Sequence, residues 1–326
     1  MAAMKTRHLL CLSLAALAGL TTGAAAAAYP DKPIRFVVGL APGGGVDFTA
    51  RTLAARLAAA FGQQVVVDNR PGAGGSIAAA IVARSAADGY TMLLGSRSNF
   101  VIDPLINPNV GYDPRRDLAP VSMATSQSMV LVVHPSVAAK NIAELIALAK
   151  AQPGKLAYAS GGTGTGTHLA GELFAKMAGV SLVHVPYKGG SQSMIDLIAG
   201  QIQLIFQSLP AALPHIKANR IRALAVTTTK RAVLLPELPT VAESGLPGFE
   251  ADNWYGIAVA AKTPRPLVQT LNREIVAALN HTEVRPALVN QGLDPAPTTP
   301  EAFAAHINGE LARWGKLAID IGLKPQ

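Results

Sequence analysis

Twice in this chain an apolar run gives way to a cluster of glycines and then at once to a segment of helical periodicity. The first instance is Ile34-Arg-Phe-Val-Val38, the loop Gly39-Leu-Ala-Pro-Gly-Gly-Gly-Val-Asp47, and the periodic stretch Phe48–Leu57. The second is Lys155-Leu-Ala-Tyr-Ala159, the loop Ser160-Gly-Gly-Thr-Gly-Thr-Gly-Thr-His168, and Leu169–Met177. Each reads as strand, tight turn, helix. Glycines let the backbone come close to a bound group, and the free N–H groups of a helix start carry partial positive charge, so an anion is the natural ligand of such a loop. Two of them facing each other across a cleft would grip a small anion from both sides.

The rest of the chain continues the alternation. Leu53, Leu57 and Phe61 recur at helical spacing and mark a buried face, and Val65-Val-Val-Asp68 is an uninterrupted apolar strand of the kind found in a covered parallel sheet. A helix over Ser76–Ser85 and a strand over Tyr90–Leu94 follow, then a long Pro-, Asn- and Asp-rich loop over Asn107–Pro120. Val130–Val133 opens a second series: a helix started by Asn141 and Glu144, the strand before the second glycine loop, and strands at Val183–Tyr187, Ile202–Phe206 and Arg222–Thr227. After a last strand at Trp254–Val259 the chain is almost entirely helical.

This pattern predicts an α/β fold with two doubly wound sheets, the strand carboxyl ends gathered on one edge of each. The C-terminal helices bring few strands of their own, so they are expected to return to the first domain and make the second an insertion. The expected organisation is residues 29–125 plus 254–326 as domain 1 and 126–253 as domain 2. Crossovers near residues 121–130 and 249–256 would form a two-strand hinge, the usual frame for closing a cleft on a ligand.

Residues 1–28 are read as a secretory signal peptide, with basic Lys5 and Arg7, an apolar run over Leu9–Leu20 and a small-residue zone ending near Ala28. The apolar run is short of the roughly 20 residues that a membrane span requires. The single cysteine, Cys11, lies in that segment and is preceded by leucines rather than by the small residue of a lipoprotein signal. The expected product is therefore exported, soluble and free of disulfides. Loss of the leader lowers the formal charge from +8 to +6. The basic residues are scattered and aromatics are only 5% of the chain, too few for a nucleic-acid stacking platform.

No hard catalytic or cofactor motif is present. A dinucleotide fingerprint counted from Gly162 or Gly43 would need glycines where Thr167 and Phe48 stand. Ser96, Ser160 and Ser191 lack the flanking glycines of a nucleophile elbow, and His168, His184 and His215 lack metal-ligand spacing. No cofactor and no metal are expected. Asp47 reads either as an N-cap alone or as a residue that also fixes the loop; Thr163, Thr165 and Thr167 read either as turn residues or as hydroxyl donors to ligand oxygens. His168 has the same two readings, packing or contact, and Tyr187 and Gln207 at strand ends line the cleft or belong to the core.

In sum of its motifs the chain resembles the extracytoplasmic solute-binding proteins of tripartite tricarboxylate transporters, often called Bug receptors. The matching stretches are Tyr29-Pro-Asp-Lys-Pro-Ile34, Ala41-Pro-Gly-Gly-Gly-Val-Asp47, Asp68-Asn-Arg-Pro-Gly-Ala-Gly-Gly75, Asp88-Gly-Tyr-Thr-Met-Leu-Leu-Gly95, Ser160–Leu173 and His184-Val-Pro-Tyr-Lys-Gly-Gly190. The resemblance implies a periplasmic, monomeric Venus-flytrap receptor of type II-like fold, without catalysis, that delivers a small organic carboxylate to a membrane permease. It implies that Ala41, Gly43, Gly44 and Asp47 of the first loop, and Thr163, Gly164, Thr165 and His168 of the second, hold the ligand carboxylate; Ser160, Tyr187 and Gln207 complete the expected ligand-binding set. The family commonly has an aspartate where this chain has Gln207, which argues against an amino-acid ligand. A sensor for a membrane signalling partner and a secreted hydrolase using Ser160 or Asp47 are the alternatives. Arg97, Asn99, Gln127, Tyr187 and Gln207 are the expected specificity side chains.

Overall fold

The computed structural model describes residues 29–40, 42–72, 75–107, 109–162, 165–187 and 190–320. These divide into a lead-in that ends at Asp31 and one unit from Lys32 onward. In chain order the first part of that unit contains β1 (Ile34–Val38), α1 (Gly45–Phe61), β2 (Val65–Asn69), α2 (Ser76–Ala83) and β3 (Thr91–Ser96). A π-helical turn at Ser98–Ile102 leads into α3 (Asp103–Ile106), α4 (Pro114–Asp117) and β4 (Leu118–Gln127).

The middle part holds β5 (Met129–Val133), α5 (Ile142–Ala151), β6 (Ala157–Ser160), α6 (Gly166–Ala178), β7 (Val183–Pro186), α7 (Gly190–Ile198), β8 (Leu204–Ser208), α8 (Leu209–Lys217) and β9 (Arg222–Val226). The last part holds β10 (Asn253–Ala260), α9 (Arg265–Leu279), α10 (Val284–Val289), β11 (Asp294–Pro295) and α11 (Pro300–Asp320).

Two sheets result. The first has the order β11-β4-β10-β3-β1-β2, with β1 parallel to β2 and β3 and with β10 antiparallel to β3 and β4. The second has the order β7-β6-β8-β5-β9, with β6 parallel to β7 and β8 and with β5 antiparallel to β8 and β9. This is the α/β architecture with two sheets that strand–helix alternation predicts. The chain passes from β4 to β5 through Ser128 alone, and it returns where the Ala251 N–H donates to the Thr227 carbonyl at 3.0 Å, just before β10.

Burial explains why these segments are strands and helices. β5 is buried at every position and β1 at every position but Arg35, as covered strands must be. α1 buries Val46, Ala50, Leu53, Ala54 and Leu57 along one face and ends at Gly62, which supplies the left-handed φ of +65° that closes the last turn. Phe100, Trp254 and Phe303 interlock at ring separations of 5.4 to 5.6 Å, joining the π turn, β10 and α11. Helices α9 and α11 lie against β4, so the C-terminal segment packs on the first sheet.

Two elements differ from the sequence reading. The expected loop over Asn107–Pro120 contains α4 and the first residues of β4, and β4 runs on for ten residues as the partner of β10 along its whole length. Its sequence, Leu-Ala-Pro-Val-Ser-Met-Ala-Thr-Ser-Gln, is too polar and too interrupted by Pro120 to read as a strand, and pairing on both edges supplies what local propensity lacks. The segment Ser98–Ile106, to which the sequence reading assigned no element, is helical, held by buried Phe100, Val101 and Ile102.

Candidate functional site

Both glycine loops leave the carboxyl ends of parallel strands and enter helices. In the first, Gly43 adopts a φ of +91°, open to glycine and strained for other residues. Gly44 is the N-cap of α1 in extended geometry and, having no side chain, caps nothing. The first intrahelical bond runs from the Phe48 N–H to the Gly44 carbonyl, at 2.9 Å. The N–H groups of Gly45, Val46 and Asp47 precede it, and no described group accepts from them.

Asp47 is therefore the third residue of the helix and not its N-cap. Its buried carboxylate turns back on the loop. It accepts from the Gly43 N–H at 3.0 Å, from Arg51 Nε at 3.0 Å and from Asn69 Nδ2 at 3.0 Å, and the same Asn69 amide donates to the Leu40 carbonyl. Burial acts to raise the carboxyl, but the hydrogen bonds from Arg51, Gly43 and Asn69 outweigh it and hold it below the usual carboxylate range. The loop is thus tied to β2 through Asn69. Ala41 lies outside the described residues.

In the second loop the hydroxyls of Ser160, Thr165 and Thr167 are already engaged by protein groups. Thr165 is the N-cap of α6; its Oγ1 donates to the Gly162 carbonyl at 2.6 Å and accepts from the His168 N–H at 3.4 Å. Thr167 Oγ1 accepts from the Gly161 N–H at 2.9 Å. The fully buried Ser160 Oγ lies 2.7 Å from His184 Nε2 and accepts from the Gly162 N–H at 3.1 Å. With Thr165 holding His168, the N–H groups of Gly166 and Thr167 have no described acceptor. Thr163 and Gly164 lie outside the described residues.

His168 packs beneath this loop. Its ring stacks on His184 at 4.0 Å, His184 stacks in turn on Tyr158 at 4.9 Å, and the Tyr158 hydroxyl donates to Glu172 at 2.5 Å. Burial, and then the neighbouring His184, push His168 down to about 4, so it is neutral at neutral pH. Tyr187 donates to Asp196 Oδ2 at 2.6 Å, and the Gln207 amide oxygen accepts from the Ser208 N–H at 2.9 Å. Gln207 is buried beside a cavity of about 460 Å³ that Met194, Ile198 and Ala211 also line.

Of the expected specificity residues, Arg97 and Asn99 are engaged within the scaffold. Arg97 is ion-paired to Asp252 at 2.6 Å and to Glu310 at 3.0 Å and lies over the Trp314 ring. Asn99 accepts from the Ser96 N–H at 2.9 Å and fills the space beside Gly75 and Gly95. Sequence reasoning missed Tyr255, whose hydroxyl reaches the first residue of α1. Nothing local marks it, because its neighbours there come from distant parts of the chain. Among the described residues no group of three or more His, Cys, Asp or Glu could hold a metal ion, and no helix is long and apolar enough to cross a membrane.

Two α/β sheets joined by two crossovers, with glycine loops and bare helix starts at the strand ends, define the class of two-lobed solute-binding proteins. Within that class the chain belongs to the receptor family of the tripartite tricarboxylate transporters, whose family profile it matches over residues 49–323. It is 38% identical over 310 residues to the protein BugT of Bordetella pertussis, covering 95% of both chains. Among solved structures it is similar to Rpa4515 of R. palustris with adipate, at 38% identity and a TM-score of 0.78, covering 91% of this chain and all (100%) of the other. MatC of Rhodopseudomonas palustris with bound malate is 28% identical with a TM-score of 0.73, covering 89% and 99% of the two chains.

Proposed function

We propose that this protein is exported to the periplasm, with residues 1–28 removed as a signal peptide, and there captures a small organic carboxylate between the starts of α1 and α6 for transfer to a membrane permease of the tripartite tricarboxylate type. The observation that carries the reading is the pair of bare helix starts. Each offers backbone N–H groups without described acceptors, while Asp47 in the first loop and Thr165 and Thr167 in the second are occupied in holding the loop's shape. Such a site gives donors and a helix dipole to an anion. Adipate and malate in related structures support the ligand class. Residues 29–125 with 254–326 and residues 126–253 are the two lobes in this reading, hinged at the crossovers.

Ser160 bears on the hydrolase alternative. Its hydroxyl has a histidine partner, but it is fully buried and already accepts from the Gly162 N–H, so an attacking position towards a substrate is closed. In this reading Ser160 and His168 support the second loop, and Gly43, Gly44 and Asp47 form the first.

Isothermal titration of the mature protein with acetate, malate, adipate, citrate and benzoate tests the reading. At least one acid is expected to bind without turnover; binding of none, or conversion of a bound acid, overturns it. Gly44→Val is expected to abolish binding, because its extended backbone accepts a β-branched residue while the branch obstructs approach to the α1 start. Unchanged affinity in the folded variant would remove that loop from the site.

A further inference from the structure

Tyr255 stands on β10, three residues past Asp252, and its side chain reaches the start of α1. A Cβ added at Gly45 would lie 2.8 Å from the Tyr255 hydroxyl oxygen, 3.4 Å from its ring and 3.5 Å from Leu293. Gly45 is an ordinary right-handed helix residue, so what the position requires is room, and the phenol takes that room. The first turn of α1 therefore has a hydroxyl group set against it, beside the N–H groups that have no described acceptor.

That hydroxyl is an underused donor. Tyr255 is buried, and burial alone pushes its phenol up to about 12, so the proton is retained throughout the neutral range. Its acceptor is Gln127 Oε1 at 3.3 Å, whereas O–H···O bonds ordinarily span about 2.5–3.0 Å. Gln127 is the last residue of β4 before the outgoing crossover, and Tyr255 lies on the strand that follows the returning one. One long, weak hydrogen bond thus spans the roots of both crossovers at the edge of the proposed anion site.

We propose that Tyr255 is a ligand-binding residue: its hydroxyl donates to the carboxylate held at the start of α1, exchanging the neutral amide of Gln127 for a charged acceptor. The inference rests on the carboxylate-receptor reading and adds to it a contact from the hinge strand. A carboxylate is the better acceptor, since hydrogen bonds to ionised oxygens are shorter and about twice as strong as neutral ones. The exchange frees the Gln127 amide oxygen to accept from a hydroxyl farther along the ligand. It also gives the bound acid a direct handle on the two strands about which the lobes would turn.

The test is Tyr255→Phe in the mature protein, which keeps the buried ring and removes only the hydroxyl. Each acid of the panel that the wild type binds is titrated into the variant. At least a tenfold weakening is expected, by a similar factor for every such acid because the hydroxyl meets the carboxylate they share, with the melting temperature of the free protein unchanged. Wild-type affinity in the variant overturns the inference, as does a loss confined to one acid. Should Tyr255→Phe fail to fold, Gly45→Ala decides the matter: its methyl displaces the hydroxyl from the helix start, and retained affinity overturns the proposal. A wild-type protein that binds no acid overturns the functional reading instead, so the two failures are told apart.

Discussion

A histidine in the first turn of a helix below a glycine loop can face a ligand or face the core, and His168 faces the core. Its stacking on His184 and its burial leave the imidazolium poorly solvated and next to a second ring that would also charge. Unfolding then takes up a proton between about pH 6.5, where an exposed histidine titrates, and about pH 4, where the buried ring does. Stability from this residue is complete above the upper value and is lost as the pH falls towards the lower one, by about 3 kcal/mol in all. Asp103, which burial raises to about 6 against the opposing Ser76 hydrogen bond, acts in the opposite sense below that pH. The informative comparison is therefore between proteins: His168→Gln should show a flatter fall of melting temperature between pH 6.5 and 4 than the wild type. Parallel profiles would refute the buried, neutral state of the ring. The residue types of the second loop were legible from the sequence, but the directions of their side chains were not. Thr165, Thr167 and His168 turn inward because loop carbonyls, a loop N–H and the His184 ring offer partners that no spacing rule displays.

At the scale of elements, the sequence shows most where a strand, a glycine loop and a helix follow one another directly, since apolar runs and helical periodicity bracket each loop. β1 with α1 and β6 with α6 were legible for that reason, whereas β4 and the two-residue β11 depend on partners far along the chain. Asp47 shows the same limit within one helix: the sequence left a cap alone and a loop-fixing residue side by side, and the partners that decide for the loop, Asn69 and Arg51, come from another strand and the next turn. Asp47→Ala leaves the Gly43 N–H and the Asn69 amide without this acceptor. Groups so abandoned cost about 1–3 kcal/mol. A lower denaturation midpoint in the absence of ligand is expected, with weaker acid binding as the loop loosens. A variant as stable as the wild type would mean that the loop is shaped by its glycines and by Asn69 alone.

For the whole molecule the decisive feature is how the two crossovers are rooted. Asp252 accepts from Ser126 Oγ at 2.9 Å, on the outgoing strand, and pairs with Arg97 at 2.6 Å, at the end of β3. Arg97 is paired in turn to Glu310 of α11, which also accepts from Trp254 and Trp314. Burial acts to raise the Glu310 carboxyl, and Arg97 with the two indoles outweighs it, so the anion persists and the chain of contacts stays charged. On the far side, the Leu209 N–H donates to the Ser128 carbonyl and the Thr227 N–H to the Met129 carbonyl, which fixes those residues to the second sheet. In the two-lobe reading proposed above, the pivot falls at the Gln127–Ser128 junction on one strand and beside the Ala251–Thr227 hydrogen bond on the other. A hinge of that kind would convert a local contact into a rotation of one lobe on the other. Asp252→Asn removes the charge that balances Arg97 at this root. Unpairing a buried charge costs about 3–5 kcal/mol, and the surviving Glu310 partner places the expected loss at the lower end, about 3 kcal/mol. The same change replaces the charged acceptor of Ser126 with a neutral amide and so weakens its tie to the returning strand; the free variant should show a broader distribution of lobe-to-lobe distances than the wild type. Paired fluorophores on α5 and α9, read by single-molecule energy transfer, measure that distribution. An unchanged width together with lowered stability would assign the Arg97–Asp252 pair to holding the first lobe together, and would leave the pivot to the backbone of Ser128.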